Sequence, residues 1–349
     1  MKELIKKLVE TFGPSGSEEQ IRALIESEIK GLVDELRVDA LGNLIAVKKA
    51  VAVGGGGLIP AGAGSLVGGA QPKKVMLSAH MDEIGLIVTH VDEKGFLRFS
   101  NIGGVNPHTL LGERVVFGNG TIGVFGTEKL DDIRDLKYDK MFIDIGCRSR
   151  EEAQAKVRMG DACGYYRKMD DLGDQITAKS LDDRIGCAIL IQVLKELKET
   201  PNEVYFVWSV QEEVGARGAK AAAFGIDPDV GIALDVTAVG DTPEARRMEV
   251  ALGKGAAIKV KDVSLITHPR VKDLLIGTAE KNGIPYQLEI LEFGGTDAGA
   301  IHLVREGVPS GVISIPTRYL HSPSELLDMG DVRACVDLLV KLLEKPVEV

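Results

Sequence analysis

The chain has 349 residues, 44% of them hydrophobic, which is enough for one large core or for two domains. Asp and Glu total 52 against 42 Lys and Arg, so the formal net charge at pH 7 is -10. Because no run of Lys or Arg is long enough to follow a phosphate backbone, we expect no nucleic-acid partner.

The first segment, MKELIKKLVETFG, predicts an amphipathic helix. Its apolar residues recur at helical spacing between charged ones, unlike the uninterrupted apolar core of a signal peptide. We therefore expect a cytoplasmic protein without a membrane partner. A second helix is predicted next, followed by the strands GNLIAVKK and KKVMLSAH.

A Gly- and Ala-rich segment, residues 51–71, separates these two strands. It has neither a GK[ST] ending nor a GxGxxG pattern, so the sequence excludes a phosphate loop and a dinucleotide-binding turn there. We interpret the segment as a flexible surface insertion.

The pattern of the chain changes at residues 84 and 165. Between them, short apolar runs alternate with glycines, which predicts a small β-rich domain. After residue 165, helices and strands alternate, which favours a mixed sheet covered by helices on both faces. The predicted fold class is therefore α/β, with residues 1–83 and 166–349 in one domain and residues 84–165 inserted into it.

Polar residues stand at the ends of several predicted strands of the α/β domain. Ligands of open α/β sheets bind beyond the carboxyl ends of the strands, so these residues are the first candidates for a site. They are His80 and Asp82, Glu212 and Glu213, Asp235, and His321, together with Asp182 and Asp183 at the start of a predicted helix.

Imidazoles and carboxylates together form a mixed nitrogen and oxygen ligand set. Such a set suits zinc, cobalt or manganese better than it suits a thiolate site or a calcium cage. Two histidines and at least three carboxylates are enough for two ions, and paired ions can activate water and stabilise an oxyanion. Of the neighbouring Glu212 and Glu213, one can then bind metal while the other acts as general base.

Each of these residues also has a structural interpretation. Asp182 or Asp183 can cap the helix, Asp235 can close a strand, and a Glu pair most often lies on a solvated turn. Single histidines are more often structural than ligands. Their coincidence at strand ends of one domain favours a metal site, because otherwise several independent explanations must all hold.

Six motifs give the chain a resemblance to a known family. SAHMDEIG, SLDDRIG, SVQEEVG, ALDV, FGGTDAGA and RYLHSPSE occur in this order. The sequence resembles, over almost its whole length, the TET-type aminopeptidases, which include glutamyl and leucyl aminopeptidases and members labelled CelM endoglucanases. The resemblance implies a zinc-peptidase-like fold and removal of N-terminal residues from short peptides.

The resemblance also implies roles for individual residues. Asp182 would bridge two divalent ions, zinc or cobalt, one also bound by His80 and Asp235 and the other by Glu213 and His321. Glu212 would be the general base, and Asp82 would hydrogen-bond to His80 and fix its tautomer. Asp183 would follow a cis peptide bond, and the loop with Gly294, Gly295, Thr296 and Asp297 would line the substrate pocket.

The family assembles from dimers into a tetrahedral dodecamer, so the resemblance implies a homo-oligomer in which residues 84–165 take part in dimerisation and assembly. The Gly- and Ala-rich segment at residues 51–71 departs from the family pattern, because relatives pass more directly between the flanking strands. This departure bears on subunit contacts or access to the site more than on the chemistry.

Two other functions are compatible with the sequence. A glycoside hydrolase could use Glu212 and Asp235 as its carboxylate pair without metal. A self-assembling scaffold could bind metals that are only structural. Side-chain preference depends on which charges face the pocket, and the candidate cations are Arg217, Arg246, Arg247 and Arg318.

Overall fold

The structure, a computed structural model, describes residues 1–51 and 71–349. Nearly all of the Gly- and Ala-rich insertion predicted at residues 51–71 therefore lies outside the described residues. No helix in the described ranges is long and apolar enough to cross a membrane.

Eight α-helices lie in the described part of the chain. They are α1 (Lys2–Glu10), α2 (Glu19–Ile29), α3 (Arg150–Gln154), α4 (Leu181–Glu196), α5 (Arg217–Ile226), α6 (Pro269–Asn282), α7 (Asp297–Ile301) and α8 (Met329–Leu343).

The described strands form one large mixed sheet and one closed barrel. The sheet consists of β1 (Glu35–Val38), β2 (Leu44–Lys48), β3 (Lys74–His80), β10 (Asp170–Asp171), β11 (Gln175–Ala178), β12 (Glu203–Ser209), β13 (Val230–Thr237), β14 (Ala256–Lys261), β15 (Tyr286–Ile290), β16 (Ser310–Arg318) and β17 (Glu325–Asp328). The barrel consists of β4 (Gly85–Val91), β5 (Leu97–Ile102), β6 (Arg114–Phe117), β7 (Ile122–Thr127), β8 (Met141–Asp144) and β9 (Ala162–Tyr165).

The centre of the sheet is parallel. Its main path runs β1-β2-β12-β3-β13-β16-β17-β11-β10, and β14 joins β16 to β15. The strands β12, β3, β13 and β16 are parallel neighbours, whereas β2 pairs with β12 and β17 pairs with β16 in antiparallel orientation. The carboxyl ends of these four parallel strands therefore meet at one edge of the sheet.

Both faces of the central sheet are buried, which explains its nearly continuous apolar strands. On β3, Val75 and Leu77 pack into the core that contains α4 and α8. Met76, which points the other way, packs with residues of α5 and α7. The predicted fold class, a mixed α/β sheet with helices on both faces, is confirmed.

The barrel has an apolar core of its own. Its inward side chains include Phe99, Val115, Phe125 and Ile143, all buried. The barrel strands run from Gly85 to Tyr165, within the segment 84–165 that the sequence marks as β-rich. The exact division into two domains and an assembly role for the barrel stay predictions.

Candidate metal centre and substrate cavity

The candidate residues lie at the carboxyl edge of the parallel strands. His80 ends β3, Asp235 lies near the end of β13, and Glu212 and Glu213 follow β12. His321 follows β16. The apolar runs that precede these residues are buried between two helical layers, and the first polar side chains after them emerge together where the sheet ends.

Three of the residues form a first ligand cluster. His80, Asp182 and Asp235 are all buried, and one potential ligand atom from each lies within 4.8 Å of the others. His80 Nε2 is 3.0 Å from Asp182 Oδ1 and 3.9 Å from Asp235 Oδ1. Glu212 borders this cluster, since its Oε2 is 4.0 Å from the same imidazole nitrogen.

A second ligand cluster shares Asp182 with the first. It consists of Asp182, Glu213 and His321, again with one potential ligand atom from each within 4.8 Å of the others. His321 Nε2 is 3.3 Å from Asp182 Oδ2 and 3.4 Å from Glu213 Oε2. The two oxygens of Asp182 therefore face two different histidines.

The other ring nitrogen of each histidine is engaged by a backbone carbonyl. His80 Nδ1 lies 3.1 Å from the carbonyl oxygen of Asp82, and His321 Nδ1 lies 3.1 Å from that of Gly104. A carbonyl oxygen can only accept, so in each neutral ring Nδ1 carries the proton and Nε2 keeps its lone pair. Both lone pairs point into the ligand clusters.

The carboxylate of Asp82 binds mainly to backbone N–H groups and a serine hydroxyl rather than to the imidazole of His80. Its carboxylate lies 3.5 Å from His80 Nδ1, a longer contact than the one made by its own carbonyl. The carboxylate accepts hydrogen bonds from the backbone N–H groups of Glu212 and Glu213, at 3.0 and 3.2 Å, and from Ser15 Oγ at 2.6 Å. Asp82 thus fixes the turn that carries both glutamates.

The side chains of the neighbouring Asp182 and Asp183 contact different groups. The peptide bond between them is cis. Asp182 faces the histidines. Asp183 Oδ1 accepts a hydrogen bond from the backbone N–H of Gly186 in α4 at 3.1 Å, and its Oδ2 accepts one from the backbone N–H of His80 at 3.2 Å. The structural interpretation, helix capping, therefore describes part of what Asp183 does and does not describe Asp182.

The carboxylates are crowded enough to shift their protonation. Burial raises the pKa of Asp235 to about 8, and the charge of Asp182 adds to this effect. Burial also raises the pKa of Glu212 well above its usual value, with further contributions from Asp235 and Asp297. Such perturbed acids at a cleft mark candidate functional groups.

Glu325 is the last residue of the motif RYLHSPSE, but the sequence predicts no role for it. It is buried, and its Oε2 accepts a hydrogen bond from the backbone N–H of Asp182 at 3.0 Å. Its Oε1 accepts one from the backbone N–H of His321 at 2.9 Å. One carboxylate therefore ties together two of the candidate ligands. Its place as the last residue of the motif RYLHSPSE is the signal that could have pointed to it.

Gly104 is a second residue for which the sequence predicts no role. It follows β5 of the barrel and contacts the ring of His321 so closely that a Cβ at this position would collide with it. The chain next to the barrel thus contributes backbone to a site whose other candidate residues lie at the edge of the large sheet.

These donors fit divalent cations. Glu213 Oε1 is buried and has no hydrogen-bond partner among the described residues. Four carboxylates and two imidazoles surround the clusters, and a buried excess of negative charge is stable only when it is protonated or compensated. The imidazole and carboxylate mixture is that of zinc-type sites rather than of calcium sites.

A cavity of about 690 Å³ opens beside the ligand clusters. Asp182, Glu212, Glu213, Asp235 and His321 form one side of it. Gly294, Gly295 and Thr296 of the predicted pocket loop are also among the lining residues. Asp297 of the same loop is buried instead and accepts hydrogen bonds from Ser78 Oγ and Ser209 Oγ, both at 2.6 Å.

Comparison with known families decides the class of the protein. Residues 63–338 match the model of the family described as M42 glutamyl aminopeptidase. The chain belongs to this family. The predicted membership of the TET-type aminopeptidases is confirmed, and the M42 chain is a peptide hydrolase.

Three M42-like proteins illustrate the similarity. A protein of Acetivibrio thermocellus is 53% identical over 344 residues, which cover 98% of this chain and 98% of that protein. Lysyl aminopeptidase of Pyrococcus furiosus is 37% identical over an alignment that covers 98% of this chain and 96% of that protein. The solved structure of the TET1 peptidase of Pyrococcus horikoshii has a TM-score of 0.84 at 34% identity, with 98% of each chain covered.

Proposed function

We propose that this M42 family member is a dinuclear metal-dependent aminopeptidase that removes the first residue of short peptides. The observation that carries the proposal is the position of Asp182. Its Oδ1 lies 3.0 Å from His80 Nε2 and its Oδ2 lies 3.3 Å from His321 Nε2, as expected of a carboxylate shared by two ions.

The proposed ligands fall into two sets that meet at Asp182. His80 and Asp235 would complete one set, and Glu213 and His321 the other. Two divalent ions bound there, zinc or cobalt, would supply Lewis acidity toward the scissile carbonyl and activate water. The protein's contribution is to hold both imidazoles in the Nδ1-protonated tautomer, through the carbonyls of Asp82 and Gly104.

Glu212 is the proposed general base. It lies at the cavity and at the edge of the first ligand cluster, and it is turned toward the site by the hydrogen bond from its backbone N–H to Asp82. A carboxyl whose pKa is raised by burial can take a proton from water and then donate it to the leaving amine. Asp82 would be a positioning residue for this step.

The experiment is hydrolysis of amino-acid p-nitroanilides by protein loaded with zinc or cobalt, compared with chelated protein. Glu212→Gln should lower kcat by about 10²–10⁴-fold while metal content stays at the wild-type level. Glu199→Gln, at an exposed position, is the matched control. Hydrolysis that survives chelation would favour a carboxylate pair acting without metal, and loss of metal in Glu212→Gln would make Glu212 a ligand instead.

We also propose that the chain forms a homo-oligomer, built from dimers into a dodecamer, with the barrel at a contact between copies. Ile122 and Val124 on β7 are 45% and 47% exposed and lie on the same face of that strand, which leaves apolar surface without a partner in the single chain. The Pyrococcus horikoshii relative is described as able to assemble into a tetrahedron or a large octahedral shell.

Light scattering of the purified protein tests this assembly. The wild type should have the mass of a dodecamer, and Ile122→Lys combined with Val124→Lys should give smaller species. Met159→Lys, which places the same charge at another exposed barrel-side residue, is the comparison variant. A monomeric wild type would contradict the proposal.

A further inference from the structure

We propose that this aminopeptidase prefers peptides whose first residue has a large, uncharged, apolar side chain. The inference rests on the proposed function and concerns the cavity beside the ligand clusters. Family membership alone does not decide this preference, because the family is described as glutamyl aminopeptidase whereas one relative is named lysyl aminopeptidase.

Many of the residues that line the cavity are apolar. With about 690 Å³, the cavity is within the range of ~300–1,000 Å³ that is usual for small-ligand sites. Its apolar wall consists of Ala216, Val236, Leu291, Phe293, Ala300, Leu303 and Leu320. An N-terminal Leu, Met or Phe side chain would exchange water for these carbon atoms.

Among the residues that the structure describes, the cavity lining has no carboxylate that is free to select a basic side chain. The lining carboxylates are Asp182, Glu212, Glu213 and Asp235, all of which belong to the proposed metal centre. A Lys or Arg side chain placed against the apolar wall would therefore lose hydration without gaining an ion pair there.

Within residues 1–51 and 71–349, the lining also contains no buried Lys or Arg that could select an acidic side chain. Lys220 is the only Lys or Arg among these described lining residues, and it is exposed. None of the four candidate arginines is a lining residue. Arg318 is paired with Asp241 at 2.8 Å, and Arg217 donates to Gln211. Arg246 is exposed, and its guanidinium lies over the ring of the lining residue Phe293. Arg247 is exposed and does not line the cavity.

The test compares kcat/KM for the p-nitroanilides of Leu, Met, Ala, Glu and Lys on the metal-loaded full chain. We expect Leu or Met to exceed both Glu and Lys by about tenfold or more. Equal or faster hydrolysis of the Glu or Lys anilide overturns this inference alone. Release from none of the anilides, with zinc or with cobalt, contradicts the proposed function itself.

Three substitutions make the test specific to the cavity wall. Leu303 is 71% exposed, so Leu303→Lys should fold and should lower the ratio of Leu to Glu hydrolysis by about tenfold or more. Met159→Lys, at a residue that is 73% exposed and outside the cavity, should leave the ratio unchanged. Lys220→Met should still hydrolyse the Leu anilide faster than the Glu anilide. If the wild type instead prefers the Glu anilide and this variant reverses that preference, Lys220 is the selecting group and the proposal is overturned.

Discussion

Glu325 accepts a hydrogen bond from the backbone N–H of Asp182 at 3.0 Å with one carboxylate oxygen, while its other oxygen accepts from the backbone N–H of His321 at 2.9 Å. The two residues come from distant parts of the chain, the start of α4 and the loop after β16. Glu325 therefore sets the distance between two proposed ligands without being a ligand itself.

Glu325→Gln should weaken metal binding by about 10–100-fold, the usual effect of losing a group that orients ligands. The amide offers only one acceptor oxygen, and its NH₂ group faces a second N–H donor. Competition with a chromogenic chelator measures the affinity. Glu348→Gln, at an exposed position, is the control, and an unchanged affinity in Glu325→Gln would remove the positioning role.

His80→Ala and His321→Ala should each lower metal content from two ions per subunit to about one, because each removes the imidazole of a different ligand set. Elemental analysis after dialysis against dilute zinc gives the stoichiometry. His90→Ala, which changes an exposed histidine of the barrel, should keep both ions. Full metal content in either of the first two variants would show that the clusters are not the binding sites.

Gly104→Ala should disturb one ligand set and spare the other. Its new Cβ would collide with the ring of His321, whereas His80 is out of its reach. We expect the loss of about one ion per subunit, detected by the same elemental analysis. Gly277→Ala, where a Cβ meets nothing within 4 Å, is the matched control.

A buried ion cluster next to the site should dominate the stability of this region. Glu83 accepts a hydrogen bond from Lys179 Nζ at 2.5 Å and one from the backbone N–H of Gly13 at 3.0 Å, and Arg184 lies 3.7 Å away. Glu83→Gln leaves both cations without their counter-charge. The free energy of unfolding should fall by about 3–5 kcal/mol, as measured by urea denaturation of metal-free protein at neutral pH.

The pH dependence of this effect has a definite sign. Burial alone would raise the pKa of Glu83, but the charges of Lys179 and Arg184 outweigh it and lower the pKa below 4.5. The native state therefore binds fewer protons than the unfolded state, and Glu83 stabilises the fold above its ordinary pKa. The difference between wild type and Glu83→Gln should persist at pH 5 and shrink as the pH falls further; a constant difference would contradict the ionised cluster.

Most residues of the candidate site could be predicted, because they lie at strand ends and within recognisable sequence motifs. Five candidate residues lie at or just after the ends of strands whose apolar runs are visible in the sequence: His80, Glu212, Glu213, Asp235 and His321. The fold class follows in the same way from alternating helices and strands.

What could not be predicted depends on contacts between distant segments. Glu325 ends the motif RYLHSPSE but acts through backbone N–H groups, and Gly104 acts by having no side chain, so neither role can be recognised from the local sequence. The placement of the arginines outside the cavity likewise depends on their partners, such as Asp241 for Arg318.

The central claim is that Asp182 joins two metal sites that both serve peptide hydrolysis. The most direct test is a titration of chelated protein with zinc or cobalt, following p-nitroanilide hydrolysis against metal equivalents per subunit. The account predicts that activity reaches its plateau at two equivalents. Full hydrolysis before any metal is added, or a plateau at a single equivalent, would contradict it.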